Sequence, residues 1–317
     1  LHDKNRFELV AFSFGPETGD PMRQRLSSAF DRFVDVRLRT DREVALLSRE
    51  MGIDIAIDLK GYTEDSRPGI FACRTAPVQV SYLGFPGTMG VNFMDYIIAD
   101  KTLIPTGSQS GYSEKIVYLP NSYQVNDAKR VISSRAFTRE ELGLPASGFV
   151  FACFNNTYKI TPAVFAAWMR ILMRVGDSVL WLFETNSDAV DNLRKEAAAR
   201  GVDPCRLVFA KRLPLPEHLA RIRMADLFLD TLPYNAHTTT SDALWAGLPV
   251  LTCPGESFAS RVAASLLNAI ALPELIADSP EAYENRALEL AGDPVQLGAV
   301  RRTLAENRNT APPFDSR

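Results

Sequence analysis

The chain has 317 residues, 46% of them hydrophobic, which is enough for two globular domains with ordinary cores. Its net charge of −3, with acidic and basic residues mixed along the sequence, argues against a nucleic-acid-binding surface. No apolar stretch reaches the roughly 18 residues of a membrane span, and the first residues do not read as a signal peptide. The four cysteines form no CxxC pair, so we expect buried free thiols and a cytoplasmic protein.

Short apolar runs alternate with amphipathic stretches through most of the chain. In the first part, the pattern predicts helices over 21–30 and 41–52 and strands over 7–14, 34–38, 53–59, 78–85, 94–100 and 115–120. Such alternation is typical of βαβ units around a parallel sheet. Residues 120–148 are polar and carry turn residues, so we place the domain boundary there, which gives an N-terminal domain over 1–130 and a C-terminal domain over 131–317.

The same alternation restarts beyond this boundary. It predicts strands over 149–154, 178–183, 206–211 and 226–231, and helices over 161–175, 188–200, 216–225 and 238–247. Thr161 and Pro162 suit the start of a helix, and Gly201 suits the end of one. The expected fold class is therefore α/β, with two doubly wound Rossmann-like domains whose ligands bind outside the carboxyl ends of the strands.

Three loops after strands of the second half carry the candidate chemistry. Residues 154–162 offer Asn155, Asn156, Tyr158 and Lys159 before a helix N-terminus, which suits a phosphate; the alternative is a turn with a solvated lysine. In residues 211–222, His218 and Arg221 are three positions apart and so share one face of a short helix, where they can contact a ligand. The alternative is an ordinary solvent-exposed helix face.

The third loop leads into the predicted helix 238–247. Thr238 or Thr239 can cap this helix, Asp242 lies about one turn further in, and His237 is not needed for capping. The alternative is a redundant set of caps. The three loops together supply cations, hydroxyl groups and a carboxylate, which suit a nucleotide diphosphate. No acidic pair for Mg²⁺ lies near them, and neither GxxxxGK[ST] nor GxGxxG is present, so helix dipoles and Lys or Arg would neutralise a leaving diphosphate.

In the first half, residues 60–69 and 81–90 follow predicted strands. Gly84, Pro86 and Gly87 allow the backbone to approach a ligand closely, although both segments can equally be ordinary connecting turns.

Several of these segments resemble the catalytic region of the O-linked N-acetylglucosamine (O-GlcNAc) transferases, in particular the bacterial type. The similar pieces are KGYT, APVQVSYLGFPGTMG, FMDYIIAD, SEKIVYLP, FNNTYKITP, LFLDTLPYNAHTTTSDALWAGLPVLTCPGESFASRVAASLL and PPF, in order along nearly the whole chain. The resemblance implies a GT-B fold, with two Rossmann-like domains facing across a cleft. It also implies inverting transfer from a UDP-sugar to Ser or Thr of proteins, with no metal and no cofactor.

The resemblance also assigns roles to individual residues. Lys159 matches the lysine that stabilises the leaving diphosphate, and His237 belongs to the loop on the phosphates and the sugar. The remaining matches are Thr238 and Thr239 in that same loop, Asp242 on the ribose, His218 and Arg221 around the uridine, and Tyr158, Leu83, Gly84 and Pro86 around the sugar and the acceptor.

Three positions differ from the animal members of this family. Asn156 and Thr157 replace a Gln and a Leu, and Tyr234 replaces a small residue beside the N-acetyl group. The bulk of Tyr234 leaves glucose and fucose open as donor sugars beside N-acetylglucosamine, which the resemblance favours.

The resemblance further implies that segments are missing. The family's catalytic region begins with a strand and a histidine-bearing helix, and His2 does not match that histidine. We expect a longer protein with N-terminal tetratricopeptide repeats and a terminal helix beyond residue 317. Two other functions stay open: a non-catalytic fragment that binds a sugar nucleotide, and a GT-B epimerase of a free UDP-sugar.

Overall fold

The computed structural model describes residues 3–314, which divide into two compact units. The first comprises the described residues up to 98 together with 107–117, and the second comprises 99–106 and 118–314. His2 lies outside the described residues. Among those described, no helix combines the length and the hydrophobicity that a bilayer span requires.

The segment 118–130 packs in the second unit, although the sequence boundary placed it in the N-terminal domain. The N–H of Tyr123 donates to the carboxylate of Asp100 over 3.0 Å, and the side chain of Asn126 donates to the carbonyl oxygen of Pro313 over 3.0 Å. Individual polar contacts therefore fix this irregular segment, and such contacts leave no periodic pattern in the sequence.

The first unit contains short strands joined by helices and loops. Its elements are β1 (Val10–Ser13), α1 (Pro21–Ala29), β2 (Arg32–Asp35), α2 (Asp41–Glu50), β3 (Ile55–Asp58), α3 (Gly69–Ala72), β4 (Val78–Ser81), β5 (Tyr96–Ala99) and β6 (Lys115–Tyr118). Strands β1 and β2 form a parallel pair, and the other four form a sheet in the order β3-β4-β5-β6. A capping box of Thr40 and Glu43 begins α2, as the sequence pattern of that helix requires.

The second unit is built on a five-stranded parallel sheet. Its elements are β7 (Val150–Cys153), α4 (Pro162–Arg174), β8 (Val179–Phe183), α5 (Ser187–Ala199), β9 (Leu207–Ala210), α6 (Leu215–Arg221), β10 (Leu227–Leu229), α7 (Thr238–Ala246), β11 (Val250–Leu251), α8 (Val262–Ala269), α9 (Pro280–Gly292) and α10 (Pro294–Asn307). The strand order is β11-β10-β7-β8-β9, and every pair in it is parallel. The central strands are buried along their length, as strands covered on both faces are.

Two predicted helix boundaries of this unit are confirmed, and the predicted burial of the cysteines is confirmed only in part. The hydroxyl of Thr161 accepts from the N–H of Val164 at the start of α4, Pro162 is its first residue, and Gly201 follows α5 with a positive φ of 77°. The four cysteines are free, and Cys153 and Cys253 are buried as expected. Cys73 is only partly buried, and Cys205 is exposed because it lies in a surface turn between α5 and β9.

Candidate active site

The strand order of the second unit creates a switch point between β7 and β10. From β7 the chain adds β8 and β9 on one side of the sheet, and it then returns to add β10 and β11 on the other. Crevices at such points, outside the carboxyl ends of the strands, are the usual ligand sites of open α/β sheets. The loop after β7 and the loop after β10 flank this point, and they carry Lys159 and His237.

Lys159 lies in a 3₁₀ turn between β7 and α4. Its ammonium group donates to the backbone carbonyl oxygen of Asn235 over 2.8 Å and lies 4.1 Å from the ring centroid of Tyr234. Burial lowers the pKa of the lysine, and the negative charge of Asp230 opposes that effect. The loop after β10 therefore holds a half-buried cation that reaches it from the loop after β7.

The ring of His237 stacks on the ring of Tyr234, with centroids 4.9 Å apart. Its Nε2 lies 3.0 Å from the carbonyl oxygen of Ala259, and because a carbonyl only accepts, Nε2 carries the proton. Burial lowers the pKa of His237 to about 4, so the ring is neutral at pH 7 and Nδ1 is a hydrogen-bond acceptor. Lys159, Tyr234 and His237 thus form one group, which we call the lysine–tyrosine–histidine cluster.

The start of α7 differs from the prediction that Thr238 or Thr239 caps it. His237 occupies the N-cap position, and within the described chain no side chain caps this helix. The hydroxyl of Thr239 donates instead to the buried side chain of Asn155, and that of Thr240 donates to the carbonyl oxygen of Ala236. The hydroxyls are thus committed to the neighbouring loop and turn, which leaves the first N–H groups of the helix for an anion.

A buried carboxylate that the sequence analysis did not select, Asp230, shapes the loop after β10. One of its oxygens accepts from the N–H groups of Thr231 and Ala236 over 2.7 and 2.6 Å, and the other accepts from the hydroxyl of Thr252 over 2.7 Å. Burial raises its pKa to about 6 despite these bonds. A lone Asp at the carboxyl end of the apolar run LFL was the available sequence signal.

Asp242 lies on the second turn of α7, where it is buried and forms an ion pair with Arg130. Burial raises the pKa of this carboxyl group, and the guanidinium opposes that effect. Arg130 was missed because it belongs to the polar segment 120–148, which has no hydrophobic period to mark it.

His218 and Arg221 lie together on α6, as their spacing predicts, but they do not form an exposed face. The Nε of Arg221 donates to Nδ1 of His218 over 3.2 Å, and the ring of Phe154 meets the His218 ring edge-on with centroids 5.1 Å apart. Burial first, and the charge of Arg221 second, lower the pKa of His218 to about 4. Because Nδ1 accepts, the neutral ring carries its proton on Nε2.

The sequence profile of glycosyl transferase family 41 matches residues 1–137 and 132–317, which together span the chain. The chain belongs to glycosyl transferase family 41. It is 39% identical to the probable UDP-N-acetylglucosamine–peptide N-acetylglucosaminyltransferase SEC of Arabidopsis thaliana over 322 residues, which cover 100% of this chain and 33% of that protein. It is 28% identical to the UDP-N-acetylglucosamine–peptide N-acetylglucosaminyltransferase of Caenorhabditis elegans, with 99% and 37% covered.

A solved structure of a mutant Thermobaculum terrenum O-GlcNAc transferase superposes with a TM-score of 0.90 at 34% identity, covering 98% of this family 41 chain and 58% of the other. The predicted resemblance to O-GlcNAc transferases and the predicted GT-B fold class are both confirmed by these matches. The chain spans about a third of the length of the curated relatives named above.

The other predicted residues of this family 41 chain lie outside the cluster. Asn156 and Tyr158 are exposed beside Lys159, with 74% of Tyr158 accessible to solvent. Within residues 3–314, no group of three or more His, Cys, Asp or Glu side chains is arranged to hold a metal ion.

Leu83, Gly84 and Pro86 belong to the first unit, in the loop after β4. Leu83 has a positive φ of 69°, and a Cβ at Gly84 would lie 2.1 Å from the carbonyl oxygen of Leu59. The glycine predicted for a close backbone approach is therefore required by the chain's own neighbouring loop.

Proposed function

We propose that this family 41 chain is the core of a metal-independent inverting glycosyltransferase that moves a sugar from UDP to Ser or Thr of proteins. N-acetylglucosamine is the favoured sugar, because the relatives at 39% and 28% identity are named as N-acetylglucosaminyltransferases. The observation that carries the proposal is the lysine–tyrosine–histidine cluster beside the uncapped start of α7, at the switch point of the sheet.

The diphosphate is held by charge and by backbone N–H groups. As the acceptor hydroxyl oxygen bonds to the anomeric carbon, its proton is released to solvent, the bond from that carbon to the phosphate oxygen breaks, and UDP leaves with additional negative charge. The ammonium of Lys159 and the first N–H groups of α7, at Thr238 and Thr239, stabilise that charge in place of a divalent ion. Preorganised donors of this kind act more strongly in a half-buried site than in bulk water.

The sugar lies against His237 and Tyr234 in this proposal. The neutral His237 ring offers Nδ1 as an acceptor, which suits a sugar hydroxyl or an acetamide N–H better than a phosphate oxygen. Tyr234 stacks on that ring and takes up space beside it, so glucose and fucose remain candidate donors.

The nucleoside is recognised by three further side chains. Asp242 accepts from ribose hydroxyls, and Nε2–H of the neutral His218 donates to a uracil carbonyl, with Arg221 holding its ring. These donors and acceptors complement a uridine, and the neutral His218 supplies its N–H without a change of protonation at pH 7.

The acceptor side is assigned to the first unit, and UDP-sugar binding is assigned to the second unit, which includes residues 118–130. In the second unit, Tyr158 and Asn156 contact the sugar. In the first unit, Leu83, Gly84 and Pro86 contact the acceptor peptide. The full-length protein carries tetratricopeptide repeats that bind protein acceptors in the cytoplasm, and neither nucleic acid nor a membrane is a partner.

The test is incubation of the protein with UDP-[³H]N-acetylglucosamine and a pool of Ser- and Thr-containing peptides, with EDTA present. Radiolabel on peptide supports the proposal, and its abolition by EDTA contradicts the metal-independent step. Parallel reactions with UDP-glucose and GDP-fucose identify the donor.

The two alternatives predict different products in the same reactions. An epimerase changes the free UDP-sugar and labels no peptide, and chromatography of the nucleotide fraction detects this. A non-catalytic binding fragment retains UDP in a filtration assay and produces neither product.

A further inference from the structure

Only one of the two carboxylate oxygens of Asp242 accepts a hydrogen bond from a described residue. Its Oδ1 accepts from Nη1 of Arg130, and both side chains are about nine-tenths buried, with 11% and 12% exposed. In the part of the chain that the structure describes, no protein donor contacts Oδ2. The ion pair thus leaves one oxygen of a buried carboxylate for a ligand.

Arg130 is itself held on α7 by several contacts. Its Nη2 donates to the hydroxyl of Ser241 over 3.1 Å, its guanidinium lies 5.6 Å from the ring centroid of Trp245, and its backbone carbonyl accepts from the indole N–H of Trp245 over 3.2 Å. Ser241 donates in turn to the side chain of Asn126. The irregular segment that carries Arg130 is therefore fastened to the helix on both sides of Asp242.

This arrangement determines the orientation of the carboxylate. A buried aspartate without a partner samples several rotamers and is destabilised in its charged form. A guanidinium fixed by its own contacts counters both effects, because it favours one rotamer and partly compensates the charge.

We propose that Arg130 is a positioning residue for nucleotide recognition: it orients Asp242 so that Oδ2 accepts a hydrogen bond from a ribose hydroxyl. This inference rests on the proposed function, since it takes the ligand of Asp242 to be the ribose of UDP. It assigns to the irregular segment 118–130 of the second unit a part in selecting ribonucleotides.

The test compares the affinities of the protein for UDP, 2′-deoxy-UDP and 3′-deoxy-UDP by calorimetry. We expect the wild type to bind UDP at least about tenfold more tightly than one of the deoxy nucleotides, as loss of a hydrogen bond to a buried charge predicts. In Arg130→Gln this ratio falls to within about threefold of unity, as it does in Asp242→Ala. Arg130→Lys, which keeps a charge within reach, restores part of the ratio.

Arg135→Gln is the matched control, because it removes an exposed guanidinium from the same segment and should leave the ratio unchanged. Thermal melts of each variant verify folding. If Arg130→Gln keeps the wild-type ratio of affinities, with or without an equal loss of affinity for all three nucleotides, the positioning role is wrong while the proposed function stands. If wild-type protein binds none of them, the proposed function fails, and this inference fails with it.

Discussion

The ammonium of Lys159 lies 2.8 Å from the backbone carbonyl oxygen of Asn235, although the two residues are 76 positions apart in the chain. The contact joins the loop after β7 to the loop after β10, and it places a cation directly before the start of α7. The proposed stabilisation of a leaving diphosphate depends on this juxtaposition.

The first prediction concerns Lys159→Met, which keeps the length of the side chain and removes its charge. We expect turnover to fall by about 100- to 1,000-fold, because charge on the departing nucleotide is no longer compensated. Single-turnover transfer from the radiolabelled donor measures this. Lys159→Arg is the control and should retain more activity than Lys159→Met; equal losses in the two variants would contradict a role for the charge.

The second prediction concerns the pH dependence caused by Asp230. Its folded-state pKa of about 6 lies above the ordinary value of 3.8, so between these values the folded protein binds a proton that the unfolded chain releases. This group therefore makes folding less favourable as the pH rises from about 4 to 6, by up to about 3 kcal/mol.

Asp230→Asn removes this titration and can retain the contacts, with its oxygen accepting the two N–H groups and its NH₂ donating to Thr252. We expect the difference in free energy of unfolding, wild type minus variant, to decrease through that pH window in urea titrations. A difference that is constant from pH 4 to 7 would show that Asp230 is not perturbed.

The third prediction has the opposite sign and concerns His237. Its folded-state pKa of about 4 lies below the ordinary 6.5, so between these pH values the unfolded chain binds a proton that the folded protein does not bind. Stability from this group is present above pH 6.5 and is lost as the pH falls towards 4, by up to about 3 kcal/mol. His237→Gln, whose NH₂ can still donate to Ala259, should lose less stability than the wild type between pH 6.5 and 4.5.

The fourth prediction separates the acceptor side from the nucleotide side. In Gly84→Ala the new Cβ must displace the backbone at Leu59, so we expect peptide glycosylation to fall strongly while UDP affinity stays within about twofold. Gly107→Ala, in the same unit, is the control, because its Cβ would meet no atom within 4 Å. If Gly84→Ala loses UDP affinity and peptide glycosylation to the same extent, the assignment of this loop to the acceptor peptide is contradicted.

The sequence predicts those parts of the fold and of the candidate site that leave a local pattern of residues, and it does not predict contacts between residues far apart in the chain. The strands β7 to β10 were found because buried parallel strands are short apolar runs, and the positions of Lys159 and His237 follow from strand ends meeting at one edge. The cap of α7 was predicted wrongly because Thr239 satisfies the buried Asn155 instead, a contact between residues 84 positions apart.

Arg130 is a second residue whose contacts could not be predicted from the sequence. It acts through Asp242, 112 positions later, from a segment whose conformation is fixed by single hydrogen bonds rather than by a hydrophobic period. Local sequence carries no trace of such a partnership, so the residue was not predicted and only the coordinates reveal it.

The most direct test of the central claim is a calorimetric titration of the wild type and Lys159→Met with UDP in the presence of EDTA. We predict that the wild type binds UDP with the same affinity with and without the chelator, and that Lys159→Met binds it at least about tenfold more weakly. Binding that disappears on adding EDTA, or that is identical in the two proteins, would contradict the claim that a lysine and a helix start hold the nucleotide's charge.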